Sequence, residues 1–374
     1  LPIADVGRAI GSGTDVYLFL AGMMLLSEIA RATGVFDWVA SIAVRGSGGS
    51  AQRLFALVYG VGIVVTTVLS NDATAVVLTP AVAAAVRAAK AEPMPYLFAC
   101  ALIANAASFI LPISNPANLV VFASSVPPLG QWLVAFALPS LAAIAITYGV
   151  LVAIFRSDLR ANVHSEVDTK DLSSAGRIAF AGIGATALAL TISSAVHANL
   201  GAVTLVCGAI VFFVVAAMDR KAALPILRGV SWSVLVLVAG LFVLANAAER
   251  TGLLALCVRE FQALSGLPLP LALASAGIVP GVLANVVNNL PAGLIAGAIV
   301  AGAHASPALR SAVAIGIDLG PNLSVTGSLA TILWLLALRR EKIAIDAWRF
   351  LRVGAIAMPT ALVASVESLL LSFR

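Results

Sequence analysis

Short polar side chains interrupt long apolar runs at Ser70-Asn71-Asp72 with Thr74, at Ser114-Asn115 with Asn118, at Asn288-Asn289, at Asp318 and at Thr326. Amides and hydroxyls both donate and accept hydrogen bonds, so groups of this kind can replace the water around a polar solute. The two carboxylates offer a second chemistry. Desolvation favours the neutral form of a carboxyl group, so one held among apolar neighbours can take up and carry a proton. The candidate substrate-binding residues are therefore Ser70, Asn71, Thr74, Ser114, Asn115, Asn118, Asn288, Asn289 and Thr326, and the candidate proton-coupling residues are Asp72 and Asp318. A blander role competes at each position, because Asn or Ser in a membrane helix can simply bond to a neighbouring helix for about 0.6 kcal/mol. A lone residue such as Ser108 is read that way.

The surroundings of these residues define the class of protein. The 374 residues are 61% hydrophobic and 10% charged, with a mean hydropathy of +1.06. Soluble domains carry about 25% charged residues, so this composition belongs to an all-α polytopic membrane protein. The +5 net charge comes from Lys and Arg gathered in short loops. That pattern orients a protein in a membrane rather than binding nucleic acid. Cys100, Cys207 and Cys257 lie in or beside apolar runs without CxxC spacing, which excludes a disulfide framework and a zinc motif. His164 and His304 fall in loops and His197 at a helix end, so no metal cluster and no cofactor is expected.

Spans of about 20 residues are the unit of such a chain. The apolar pattern predicts a helix at 15–33, a short amphipathic piece at 35–45 and hairpin arms at 52–69 and 74–89, with Ser70-Asn71-Asp72 at the tip. A carboxylate at the centre of a membrane helix costs about 2.5 to 3.5 kcal/mol. Such a tip is tolerable against protein or water, which makes the hairpin re-entrant. A broken helix follows, with a first part at 95–112, a break at Pro112-Ile113-Ser114-Asn115-Pro116-Ala117-Asn118 and a second part running to about Ser124, and then a helix at 131–155. Helices at 177–196, 200–218 and 231–248 precede a second hairpin at 269–303 and a second broken helix at 309–338.

The second series repeats the first at an offset of 218 residues: Ala21-Gly22 matches Ala239-Gly240, Thr33-Gly34 matches Thr251-Gly252, and Ser70-Asn71 matches Asn288-Asn289. The expected organisation is a first membrane repeat at 1–156, a cytoplasmic linker at 157–176 and a second repeat at 177–374, each with a re-entrant hairpin and a broken transmembrane helix. The second half has two helices ahead of 231–248 that the first lacks, which predicts two further helices upstream of Leu1. The clusters Arg45/Arg53, Arg87/Lys90, Arg156/Arg160/Lys170/Arg177, Arg220/Lys221/Arg228 and Arg339/Arg340/Lys342/Arg349/Arg352 face the cytoplasm in one threading. In it the two hairpins enter from opposite sides, so the repeats have inverted topology and the polar residues meet near the midplane. Glu28, Arg31 and Glu249 lie near helix ends, where snorkelling accounts for them without a place in the site.

Three stretches are specific enough to point to a family: Leu69-Ser-Asn-Asp72-Ala-Thr-Ala-Val-Val-Leu-Thr-Pro80, Val287-Asn-Asn-Leu-Pro291, and Gly316-Ile-Asp-Leu-Gly-Pro-Asn-Leu-Ser-Val-Thr-Gly-Ser-Leu-Ala-Thr-Ile-Leu-Trp334. With nearly the whole chain, they resemble the ArsB-type arsenite and antimonite permeases of the ion-transporter superfamily. The resemblance implies a secondary transporter, not an enzyme. It would export trivalent arsenic and antimony hydroxides across the bacterial inner membrane in exchange for protons, conferring arsenical resistance. Its partners would be arsenite or antimonite, protons and the bilayer, with a soluble ArsA-type ATPase in some members and a homodimer as an open assembly; no nucleic acid is expected. One departure is Asn105, where relatives can carry an acidic residue.

Arsenous acid is neutral near pH 7 and carries three hydroxyls, which suits Asn, Ser and Thr without a cationic clamp. A dicarboxylate calls for Arg, Lys or helix N-termini without an adjacent carboxylate, and Asp72 at the tip opposes a dianion. A Na+/H+ antiporter or an organic-anion carrier of the same superfamily is the alternative. An intramembrane aspartyl protease would need Asp72 and Asp318 to share a proton, and it would leave the repeats unexplained.

Overall fold

The computed structural model describes residues 3–122, 126–165, 171–196, 198–250 and 252–373. Ser124, Lys170, His197 and Thr251 lie outside the described residues, as do 166–170 of the linker and the side chain of Glu249. The regular elements are helical, and the one extended pairing among the described residues is an isolated bridge between Ser50 and Asn162. Among the described residues, seven helices are long and apolar enough to cross a membrane, or up to eight if the bent pair Asp5–Ser12 and Thr14–Ala32 is one span. The protein is an all-α multi-pass membrane protein.

The chain begins with α1 (Ile3–Gly11), α2 (Thr14–Ala32) and α3 (Val35–Gly46). The first hairpin follows. Its rising arm is α4 (Ala51–Val68), and its returning arm runs through α5 (Asn71–Ala73), a π turn (Thr74–Leu78) and α6 (Thr79–Ala88). The first broken helix consists of α7 (Met94–Ala106), a 3-10 turn at Pro112–Ser114 and α8 (Pro116–Phe122), after which comes α9 (Leu129–Ile154). Beyond the linker lie α10 (Ser174–Ala195), α11 (Leu200–Met218), α12 (Arg220–Gly229), α13 (Ser233–Arg250) and α14 (Leu253–Ala263). The second hairpin is α15 (Leu269–Val287) and α16 (Asn289–Gly302). The second broken helix is α17 (Pro307–Leu319), a 3-10 turn at Gly320–Asn322 and α18 (Leu329–Arg340), and α19 (Ala347–Ser372) ends the chain.

Element starts recur at the spacing seen in the sequence: 35 and 253, 51 and 269, 71 and 289, 129 and 347 are each 218 apart. Gly34 and Gly252 precede α3 and α14 with φ of 78° and 77°. Trp132 and Phe350, also 218 apart, are both fully buried on α9 and α19.

Two expectations need correcting. The first broken helix stops at Ala106 rather than 112, because the Ser108 hydroxyl bonds the Asn105 carbonyl and the Ser108 carbonyl is taken by the Asn118 amide. Local side-chain bonds of this kind compete with helix continuation. The basic run 220–228 is a helix, not a loop, capped where Asp219 Oδ1 accepts from Lys221 N at 3.0 Å.

Small residues set the closest crossing. A β-carbon on Gly316 would stand 2.0 Å from the Gly277 carbonyl oxygen, and one on Gly320 2.2 Å from that of Gly281. Helix α15 of the second hairpin therefore lies against α17 backbone to backbone, as small residues permit in membrane bundles. That contact fixes the second broken helix on the second hairpin.

The loops gather at two ends. At one, His164 N donates to Ala89 O and Val163 N to Gly49 O, both at 2.9 Å, and Arg87 forms an ion pair with Glu341. At the other, Gly201 N donates to Asp15 Oδ1 at 2.9 Å, and one cavity joins Pro127 and Gln131 to Ala305, Pro307 and Phe373. Helix α9, 26 residues and about 39 Å long, runs between the two ends.

Candidate functional site

The tip of the first hairpin is built by local bonds. Ser70 is extended and its Oγ accepts from Ala73 N at 3.2 Å, while Asn71 Oδ1 accepts from Asp72 N at 2.9 Å. The arms are fastened by Thr66 and Thr74, whose hydroxyls bond at 2.8 Å, and the π turn is supported where Thr79 Oγ1 donates to Thr74 O at 3.0 Å. These bonds leave the Asn71 side-chain NH2 and the Asp72 carboxylate without a partner among the described residues. Ser70 and Thr74, expected to bind substrate, are held in the hairpin's own frame.

Asp72 borders a chamber of about 60 Å³ with Ser27, Glu28, Ser70, Gly229, Ser231 and Leu333 among its walls. Glu28 is therefore not a snorkelling residue. It is 7% exposed and accepts two bonds from Arg31 Nε, at 2.9 and 3.0 Å. A carboxylate on the inward side of α2 is legible in the sequence only as a residue near a helix end, since nothing there shows that α12 and α13 close over it.

The two broken helices meet in a buried amide network. Asn115 Nδ2 donates to Asp318 Oδ1 at 2.7 Å, while Asn115 Oδ1 accepts from Ala117 N at 3.0 Å and so caps α8. Asn118 Nδ2 donates to Ser108 O at 2.8 Å. Asn105 Nδ2 donates to Asn322 Oδ1 at 2.9 Å, and Asn322 Nδ2 to Leu102 O at 3.0 Å. Asp318 is fully buried, and none of these bonds involves Lys, Arg or His. Ser114 turns away: its hydroxyl donates to Thr67 O at 3.0 Å and accepts from Leu111 N, tying the broken helix to the first hairpin.

The second tip is stitched to the second break. Asn289 N donates to Gly327 O at 2.8 Å and Asn288 Nδ2 to Thr326 O at 3.3 Å. Thr326 is exposed, and its hydroxyl donates to Asn285 O at 2.9 Å. Asn285 Nδ2 bonds the carbonyls of Gly281 and Gly320, and Ser324 Oγ donates to Asn285 Oδ1 at 2.7 Å. The Asn289 side chain is buried but makes no bond to the described residues. The run from Gly327 to Leu333 thus touches both tips, through Asn289 at one end and the Asp72 chamber at the other.

The sequence-derived residues accordingly fall into three groups along one polar seam: the first tip (Ser70, Asn71, Asp72, Thr74), the junction of the broken helices (Asn115, Asn118, Asp318) and the second tip (Asn288, Asn289, Thr326). Asn105, Asn285 and Asn322 complete it. Asn322 stands inside the Gly-Pro-Asn break, and Asn285 lies one helical turn before the tip at Asn289, so a polar residue one turn from a break is the available signal. No hydrogen bond joins Asp72 to Asp318. Among the described residues no three of His, Cys, Asp and Glu gather to hold a metal ion.

A protein-family model described as a citrate transporter matches residues 3–338. The arsenical pump membrane protein of Yersinia enterocolitica is 27% identical, over 93% of this chain and 84% of that protein. Its counterpart in Escherichia coli K12 is 26% identical with the same coverage. An uncharacterised transporter of Mycobacterium tuberculosis is 26% identical over 97% of this chain and 87% of its own. Among solved structures, the YdaH transporter of Alcanivorax borkumensis, described as having an unusual topology, superposes with a TM-score of 0.58 over 97% of this chain and 86% of its own. At 15% identity that likeness concerns the fold.

Proposed function

Because the chain belongs to the citrate transporter (CitMHS) family, and the ArsB-type resemblance read from its motifs is borne out by the arsenical pump relatives, we propose that this membrane transporter exports arsenite and antimonite from the cell in exchange for protons. The observation that carries this choice within the family is the polar seam itself. It presents amides and carboxylates, and among the described residues no Lys, Arg or His bonds to any of them. A citrate-like anion would need cationic partners or helix N-termini away from a carboxylate, and Asp72 stands at the first tip; a neutral trihydroxide needs donors and acceptors together. The open groups are the Asn71 and Asn289 side chains, with Thr326 at the exposed edge.

Proton exchange is assigned first to Asp72. Its carboxylate faces a chamber rather than a protein donor, and across that chamber stands Glu28, ion-paired with Arg31, beside the loop at Gly229–Ser231. Asp318 stands behind the amide network as a second carboxylate. The inverted-topology reading is supported by the loop groups. The first hairpin opens among the basic clusters beside Ala89 and Glu341, and the second reaches Ala305 and Pro307 at the other end. Residues 1–156 and 177–374 then act as two membrane repeats joined by a cytoplasmic linker. The relatives' names carry arsenical transport; antimonite, an ArsA-type ATPase, a homodimer and inner-membrane placement are part of the proposal.

The test is arsenite uptake into everted membrane vesicles with and without an imposed pH gradient. Uphill accumulation driven by the gradient is expected. Sodium-dependent proton flux without arsenite movement would select the antiporter, and citrate accumulation would select an anion carrier.

A further inference from the structure

Three fully buried oxygens in the junction of the broken helices have no hydrogen-bond partner among the described residues: Asp318 Oδ2, Asn118 Oδ1 and Asn105 Oδ1. The amide orientations that leave them so are each fixed by a backbone group. Asn322 Nδ2 is committed to Leu102 O, which turns Asn322 Oδ1 to Asn105 and makes Asn105 donate through Nδ2. Asn118 Nδ2 is committed to Ser108 O. Asn115 Oδ1 is committed to Ala117 N, so its Nδ2 faces Asp318 Oδ1. What remains in each case is an acceptor.

Ser108 links two of the three residues: its carbonyl takes the Asn118 amide, and its hydroxyl donates to Asn105 O at 2.8 Å. The sequence presents Ser108 as an ordinary helix–helix bond; the fold makes it the residue common to Asn118 and Asn105.

We propose that Asp318, Asn118 and Asn105 form a buried site for a small monovalent cation. A carboxylate and two amide oxygens are the hard ligands that such an ion prefers. Charge selects the valence. One carboxylate and no cationic partner leave a single negative charge, which a monovalent ion neutralises and a divalent ion would overshoot in a setting where net charge is costly. The nearest basic residue ahead of Asp318 on its own helix is Arg310, eight residues or about 12 Å away along the axis. A proton would compete for Asp318, but one proton supplies one donor and leaves the remaining amide oxygens unpaired. A cation coordinated by all three oxygens would pair them together. The site ties α7 and α8 to α17, so an ion there would lock the two broken helices together whatever the transported solute is.

Binding of radioactive 22Na+ to the purified full chain in detergent measures this directly, with competition by unlabelled NaCl or choline chloride at constant ionic strength. Saturable binding displaced by sodium and not by choline is expected. Asp318→Asn, which keeps the shape, and Asn118→Ala should each weaken it at least ten-fold. Sodium should also raise the thermal unfolding midpoint of the parent and not of Asp318→Asn. Absence of saturable binding in the parent overturns the proposal and leaves a proton on Asp318. Binding that survives in both variants also overturns it, and a variant that unfolds before assay leaves the parent's ion selectivity and the other variant to decide. None of these readouts depends on arsenite.

Discussion

Asp72 and Asp318 stand on interrupted backbone in the two halves, yet their neighbours differ. Asp318 is enclosed and bonded by Asn115, whereas Asp72 faces a chamber with Glu28. The chamber beside Asp72 is the ground for giving it the proton first. Asp72→Asn keeps the side-chain shape and most hydrogen bonding but cannot release a proton. We expect arsenite exchange between vesicle compartments to survive in this variant while pH-driven accumulation is lost. Accumulation equal to the parent's would move the proton to another group. Asn289 should behave as a binding residue, because its buried side chain makes no bond to the described residues. Asn289→Ala removes a partner from the substrate at about 1 to 3 kcal/mol, so arsenite should bind about five- to a hundred-fold more weakly, as read by the half-saturation of exchange. An unchanged half-saturation would remove Asn289 from the site.

Ser114 shows what an element does with a polar residue that the sequence offers as a ligand. Its hydroxyl joins the first broken helix to the first hairpin through Thr67 O and Leu111 N. Ser114→Ala should therefore lower the thermal midpoint of the purified protein by several degrees while arsenite half-saturation stays within about two-fold. Weaker binding at unchanged stability would return Ser114 to the substrate. Both hairpins and both broken helices are legible in the sequence, since lipid tolerates a polar tip between apolar arms only where protein or water covers it. The helix α12 and the early end of α7 are not, because they depend on side-chain caps at Asp219 and Ser108 that only the folded neighbours reveal. Glu28 escapes a sequence reading for a related reason. Its burial comes from α12 and α13, far along the chain.

At the scale of the molecule, the two loop groups constrain the threading. Helix α9 carries Gly130 at one end, and beyond its other end Ala161 bonds to Ala51 N at the base of the first hairpin. Both are exposed. With Cys100, Cys207 and Cys257 replaced, single cysteines at Gly130 and Ala161 should react with an impermeant thiol reagent from opposite faces of the membrane, Ala161 from the cytoplasm where the Lys and Arg clusters lie. The second hairpin supplies the decisive position. His304 is exposed at its end, beside the Ala305 and Pro307 that share a cavity with Gly130, so a cysteine at His304 should label with Gly130. If it labels with Ala161 instead, both hairpins enter from one face. The repeats would then be parallel, and the Asn71 and Asn289 tips could not be approached from opposite sides as alternating access between them requires.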